Sequence, residues 1–404
     1  MTQMKDILGV CIILLAFFSV IFSFFYKKRQ SFVYKRMAIL CGLVTVGVMA
    51  IFLLTAHVDP TIAKSIPKDS KKNAASTQPD PILATNAGMP GVTDAATDAL
   101  TKKQIQHQNK DAENSMNEKA MTPKILSDGT KEFILTATPI VWNLYQQKNV
   151  NVWGYNGQTS GPLLRVKVGD RVKIILKNKL KEPTSLRFNG ISIPAKMGGI
   201  PNKPISPGSS FTYEFKITSD MVGTHSYGSG TNMDKQINYG LHGVLLVEPE
   251  KSMEYPDADV DAIFDIGSFI VDQKTEENVF TLNGKPGPNS PNLQMEQGQR
   301  VIIRIINSSA ESYHAMHLHG YTFQLVSQDG HHLAKPVSMN VVNLAPEETA
   351  DIEFVANAPG MWMFHCHILD HTMNPDDEMD EMSGLMTNFM VKPKGKLKSD
   401  MSGM

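Results

Sequence analysis

Phe364-His365-Cys366-His367-Ile368-Leu369-Asp370-His371 sets one cysteine among three histidines. On an extended strand successive side chains point to opposite faces, so Cys366 faces one way while His365 and His367 face the other. Such a strand serves two metal environments, one per face, joined through its backbone. Upstream, His314-Ala315-Met316-His317-Leu318-His319 adds three more imidazoles, and the two stretches hold six of the chain's twelve histidines. A type 1 (blue) copper site takes two imidazoles, one thiolate and a weak axial ligand in a trigonal arrangement. His314, Cys366 and His371 are the candidates for the three strong positions. Zinc competes, because His and Cys suit it too, but zinc sites with cysteine favour closely spaced Cys pairs. A single buried histidine is most often a hydrogen-bonded core residue; six in two compact stretches around one thiol point to metal.

The other two cysteines, Cys11 and Cys41, lie in apolar runs at about Ile7 to Tyr26 and Met37 to Ala56, each near the ~20 residues that cross a bilayer. Lys27-Lys28-Arg29 and Lys35-Arg36 lie between them, which puts that loop on the cytoplasmic side and everything after His57 outside. A cleavable signal peptide is the alternative for the first run, but only Lys5 precedes it and no small-residue cleavage site follows. The expectation is a two-helix transmembrane anchor over 1–60 in the plasma membrane, with the soluble part on the extracytoplasmic face. There Cys366 is the sole cysteine. An intrachain disulfide is ruled out, and metal ligation is a sound reason to keep an unpaired thiol in an oxidising compartment. A net charge of −1 offers no basic excess for nucleic acid.

Residues 61–122 are rich in Ala, Thr, Lys, Asp, Asn, Gln and Pro and nearly free of aromatics, and read as a disordered linker. From Pro123 short β-type runs take over, such as Arg171-Val172-Lys173-Ile174-Ile175-Leu176 and Val301-Ile302-Ile303-Arg304-Ile305-Ile306. Regular short strands between turn residues indicate β-sandwiches. Val168-Gly169-Asp170-Arg171-Val172 is echoed by Gln297-Gly298-Gln299-Arg300-Val301, the mark of one sandwich repeated. The expected fold is mainly β: two cupredoxin-like Greek-key sandwiches over 123–252 and 253–395, followed by a tail, 396–404.

From about Lys131 to Val391 the chain resembles a multicopper oxidase of the two-domain, laccase-like type. Trp153-Gly154-Tyr155-Asn156-Gly157-Gln158, with Gly161-Pro162 and Val168-Gly169-Asp170, resembles that family's opening. His317-Leu318-His319-Gly320 with Phe323, and Pro359-Gly360-Met361-Trp362-Met363-Phe364-His365-Cys366-His367, resemble its copper signatures. The resemblance implies a type 1 copper that takes electrons from a substrate and passes them along the Cys-His strand to a trinuclear copper cluster, where O₂ is reduced to water. Eight histidines in four His-x-His pairs hold that cluster in the family. Here His317 with His319 and His365 with His367 supply two pairs. The front half lacks the others: Arg187 and Asn189 take one pair's positions, Gly228 and Gly230 the other's, and Gly198 replaces an acidic residue that helps deliver protons. A guanidinium has no lone pair to donate. Four-electron reduction of O₂ is therefore not expected of this chain alone. His225 and His242 are either substitutes or core histidines.

By the same resemblance Gly384-Leu385-Met386 is the axial position, with Leu385 in the ligand's place and Met386 beside it. Between His371 and Gly384 lies Thr372-Met373-Asn374-Pro375-Asp376-Asp377-Glu378-Met379-Asp380-Glu381-Met382-Ser383. Its Met373, Met379 and Met382 with Asp376, Asp377 and Asp380 read as a docking place for Cu(I), or as a solvated acidic loop. The functional expectation is a membrane-anchored copper oxidoreductase that oxidises Cu(I) or a small phenolic donor by one electron. Electrons would leave through a partner, or through a mono- or dinuclear copper on His317, His319, His365 and His367. A non-catalytic copper-sequestering protein of copper homeostasis is the alternative, and a structural descendant without redox role a third. Two-domain relatives assemble three chains with one chain's first domain against the next chain's second. That implies a homotrimer, or a hetero-oligomer in which an intact paralogue lends the missing ligands.

Overall fold

The computed structural model describes residues 91–198, 204–250, 258–375 and 383–395. The two apolar runs lie outside the described residues, as do Asp376, Asp377, Met379, Asp380 and Met382. No described helix is long and apolar enough to cross a membrane.

The described chain is mainly β, in two sandwiches of the cupredoxin kind. In the front sandwich one sheet runs Thr93–Asp94, Asn149–Tyr155, Lys131–Asn143, Arg171–Asn178, Ser210–Lys216, with Lys124–Ile125 also on Lys131–Asn143. It faces a sheet ordered Gly161–Lys167, His242–Glu248, Gly223–Ser229, Leu186–Phe188. Alternation builds the core: Val172, Ile174 and Leu176 of Arg171–Asn178 point inward among Phe133, Leu135 and Tyr213, while Arg171 and Lys177 face out. In the back sandwich Val279–Leu282, Val260–Phe269, Arg300–Asn307, Thr349–Val355, Phe323–Gln328 and His331–Met339 form one sheet. Leu293–Glu296, Met386–Lys392, Gly360–Cys366, His314–Leu318 and Val341–Leu344 form the other.

The repeat extends to individual hydrogen bonds. Lys131–Asn143 pairs parallel with Arg171–Asn178, as Val260–Phe269 does with Arg300–Asn307. Gly169 and Gly298 open the equivalent turns at φ 93° and 89°, a region only glycine enters freely. Gly169 N–H donates to Ile217 O and Gly298 N–H to Ala356 O, both at 2.8–3.0 Å. The sandwiches meet through Leu163, Val244 and Leu246 against Ile263 and Ile306. Beside this patch Arg304 is buried and pairs with Asp351 at 3.0 Å and Asp261 at 2.7 Å. Removing one partner of such a pair typically costs about 3–5 kcal/mol.

The expected linker needs correction over 91–122. Thr93–Asp94 joins the front sheet, and Lys102–Met116 is a helix lying on it. Thr101 caps the helix reciprocally with Gln104, a capping box. Gln108, Ala112 and Met116 are its buried face, and Gln108 donates to Val141 O at 2.9 Å and accepts from Asn143 N–H. A few well-placed contacts hold a helix whose overall composition is polar.

Candidate metal centre

Cys366 ends the strand Gly360–Cys366, His314 begins the neighbouring strand His314–Leu318, and His371 sits on the 3-10 turn Leu369–Thr372 that follows the cysteine. Met316 pairs with Cys366 across these strands. His314 Nδ1 lies 3.1 Å from His371 Nδ1, and Cys366 Sγ lies 4.0 and 3.8 Å from the two nitrogens. Metal bonds of about 2.1 Å to nitrogen and 2.3 Å to sulfur at trigonal angles put donors roughly 3.6–3.8 Å apart. The three groups fit that requirement with small adjustments. They are the only set of three or more His, Cys, Asp or Glu ligand atoms so close together among the described residues.

Surrounding groups fix the donors. Ser309 Oγ is 2.9 Å from His314 Nε2, so with Nδ1 turned to a metal the Nε2–H donates to the serine and sets the tautomer. Phe280 stacks on His371 at 3.9 Å between centroids and meets His314 edge-on at 5.2 Å. Burial, and then the neighbouring His371, keep His314 well below the usual histidine range; burial likewise lowers His371. Both shifts favour the neutral imidazole, the form that can donate a lone pair. Burial pushes the Cys366 thiol up, opposed by the amide of Ile368 at 3.4 Å, so forming the thiolate needs a cation beside it. Leu385 is fully buried in the same core as Cys366, and its carbonyl accepts from Cys366 N–H. Met386 pairs directly with His365 on the opposite face, its thioether against Gly287. Sequence left those two undistinguished; the register puts Leu385 on the thiol's side.

His365 indeed faces away from Cys366. Its Nδ1–H donates to Cys366 O at 2.8 Å, which leaves Nε2 free of a proton, 2.9 Å from His319 Nε2. His317 Nδ1–H donates to Asn340 O at 2.6 Å, and its ring lies 4.3 Å from that of His367. Burial, with the surrounding imidazoles, drives His365 down to about 4. The four rings thus form one group, with His319 and His367 exposed. His225 and His242 do not join it. His225 is buried with Nε2 on Met221 O, and His242 is buried with Nδ1 on Asp265; both are core histidines.

The front-half positions carry no metal ligand set. Arg187 donates to Glu347 of the back sandwich at 2.6 Å, and Asn189 donates to both Glu347 and Ser226. Arg187 also donates to Asn189, and Ser226 to Glu347 at 2.8 Å. These residues clasp the two sandwiches. Among the described residues, the front-half positions offer no ligands for a trinuclear cluster.

Beside His371 a cavity of about 530 Å³ is lined by Glu276, Glu277, Phe280, Asp370, Met373 and Asn374 among others. Glu277 is occupied with the amides of Ala310 and Ser312 and the Ser268 hydroxyl. Met373 is expected beside the copper from the sequence, but Glu347, Phe280 and the Glu276–Glu277 side of this rim escaped the sequence reading because each meets its partners through long-range contacts; Ser309, five residues before His314, carried no signal of its own.

Family profiles described as multicopper oxidase match residues 136–252 and 255–395. "Multicopper oxidase mco" of Staphylococcus aureus is 30% identical over 251 residues, 58% of this chain and 55% of that protein. "Cell division protein FtsP" of Photorhabdus laumondii is 27% identical over 248 residues, 57% of this chain and 52% of that protein. The chain thus spans about half the length of these relatives. Among solved structures, a blue copper oxidase from Nitrosomonas europaea matches with a TM-score of 0.58 and 25% identity, covering 64% of this chain and 85% of that one.

Proposed function

The chain belongs to the multicopper oxidase family, and from that premise we propose that His314, Cys366 and His371 hold a type 1 copper used to oxidise Cu(I) or another small donor by one electron. The observation that carries the reading is the convergence of two imidazole nitrogens and one thiol within 4.0 Å of one another. Copper held there supplies one-electron chemistry at a buried, water-poor position.

The chain's own groups supply the rest. His371 is the less buried of the two imidazoles, and Asp370 next to it and Phe280 stacked on it both line the cavity. Asp370 and Glu276 draw cations to its rim, and the Met373 thioether suits a cuprous ion. Leu385, hydrocarbon only, offers no fourth strong ligand. Cys366 joins this side of the sheet to His365 on the other through one peptide unit. With Arg187 and Asn189 committed to the clasp on Glu347 and Gly228 and Gly230 offering no side chain, the electron's exit is a partner protein or metal on His317, His319, His365 and His367. The anchor proposed for the two apolar runs holds these domains outside the plasma membrane, and assembly with an intact paralogue, whose front half keeps its histidines, completes the oxygen-reducing site; further copies of this chain alone do not.

A second reading, a copper-sequestering protein, is favoured by the loss of all four front-half ligands. One experiment separates the two. The copper-loaded chain is followed by visible absorption and oxygen uptake while Cu(I) is supplied. The proposal expects a blue band that bleaches with Cu(I), and no oxygen uptake by the chain alone. A blue band indifferent to Cu(I) favours sequestration; less than one copper per chain without colour rejects both.

A further inference from the structure

On the outer face of the back sandwich's five-stranded sheet, the proposed function uses the histidines but leaves the methionines beside them without a role. Register fixes the side chains of that face. His365 pairs with His317 on one side and Met386 on the other, Met363 with Asn388, and Met361 with Met390. His319 N–H donates to Met363 O, which sets His319 beside that second rung. Directly paired residues project to the same face, so thioethers and imidazoles form one ladder across three strands. The inner face of the same strands is an ordinary core of Phe364, Phe389, Val391 and Cys366.

The fold does not require methionine there. In the front sandwich the rungs equivalent to Met361–Met390, Met363–Asn388 and His365–Met386 are Thr224–Leu246, Ser226–Val244 and Gly228–His242. Those lie buried under the back sandwich. In the back the corresponding face is open: Met361 is 66% and Met390 39% exposed, and His319 and His367 are exposed. Strands favour β-branched and aromatic residues, and a polarisable thioether beside imidazole suits a soft cation.

We propose that Met361, Met390 and Met363, with His319 and His365, bind a soft monovalent cation, Cu(I) or its mimic Ag(I), on the sheet face opposite Cys366. The cross-strand pair Met361–Met390 is the outer end, and the four-histidine group the inner end. This site is separate from the cavity beside His371 and does not depend on the type 1 assignment.

The test uses Ag(I), which undergoes no redox change, titrated calorimetrically into the full chain carrying Cys11→Ser, Cys41→Ser and Cys366→Ser so that no thiol takes silver. Adding Met361→Leu, Met363→Leu and Met390→Leu, which nearly conserve volume, should weaken silver binding about tenfold or more, the loss of one good contact. Circular dichroism and sedimentation run alongside. Unchanged silver affinity overturns the proposal. An altered oligomeric state with unchanged affinity overturns it too and makes the face a contact between subunits.

Discussion

The same corner of the fold occurs twice, and its two copies do opposite things. In the front, Leu186–Phe188 pairs with Gly223–Ser229; in the back, His314–Leu318 pairs with Gly360–Cys366. Register sets Arg187 opposite Gly228 where it sets His317 opposite His365, and Leu186 opposite Ser229 where it sets Met316 opposite Cys366. Ser229 is thus the front counterpart of the cysteine. Its hydroxyl donates to Gln236 Oε1 at 2.7 Å, Thr184 does the same, and Gln236 donates to Pro183 O. Hydroxyl and amide groups there satisfy one another in a closed net. In the back, three groups that donate lone pairs converge instead. One backbone supports both outcomes, so capacity for metal lies in the side chains and not in the sandwich.

The comparison breaks most decisively at Cys366. Cys366→Ser should abolish blue absorption in the copper-loaded protein while leaving far-ultraviolet circular dichroism intact; a surviving band would mean that the thiol is not the ligand.

A turn found in both halves gives the next largest effect. Tyr155-Asn156-Gly157-Gln158 and Leu282-Asn283-Gly284-Lys285 share the same bridge and the same positive φ at Asn and Gly, the type I′ hairpin signature. Gln158 is partly exposed, but Lys285 is buried against Asn143 O at 2.6 Å and the Trp142 ring at 4.5 Å. Burial pushes Lys285 down to about 7, with Asp111 opposing. Between that value and the ordinary 10.5 the unfolded chain binds more protons, so stability rises with pH across the window. The span is roughly 2–4 kcal/mol. Thermal denaturation of the wild type should therefore gain on Lys285→Met as pH rises from 7 to 10, and a parallel pair of curves would contradict the burial.

Glu347→Ala should cost about 1–3 kcal/mol in chemical denaturation, because Arg187 and Asn189 lose their shared acceptor, and should leave the blue band unchanged. Glu347 sits at φ 67°, an uncommon conformation for a non-glycine residue, and it aims the carboxylate across the joint. Smallest is Ser309→Ala, expected to weaken copper binding about tenfold by freeing the His314 ring; equilibrium competition with a chelator measures it.

Much of this was legible in the sequence. The period-two alternation of His365, Cys366 and His367 foretold two faces, and Gly169 and Gly298 marked the repeat. The front half's lost ligands could be read at Arg187, Asn189, Gly228 and Gly230. What replaced them could not, because Glu347 reaches Arg187 only once the sandwiches are packed. Lys102–Met116 was missed because its buried side is three residues in a polar run, although Thr101 and Gln104 carried a capping signal. Met361, Met363 and Met390 became one surface only when strand register was known.

Electron paramagnetic resonance of the copper-loaded chain tests the central claim most directly. A single Cu(II) signal with the narrow parallel hyperfine splitting of thiolate-bound copper, at one spin per chain and absent in Cys366→Ser, is the predicted result. A spectrum of tetragonal, nitrogen-bound copper alone, unaffected by that substitution, would contradict it.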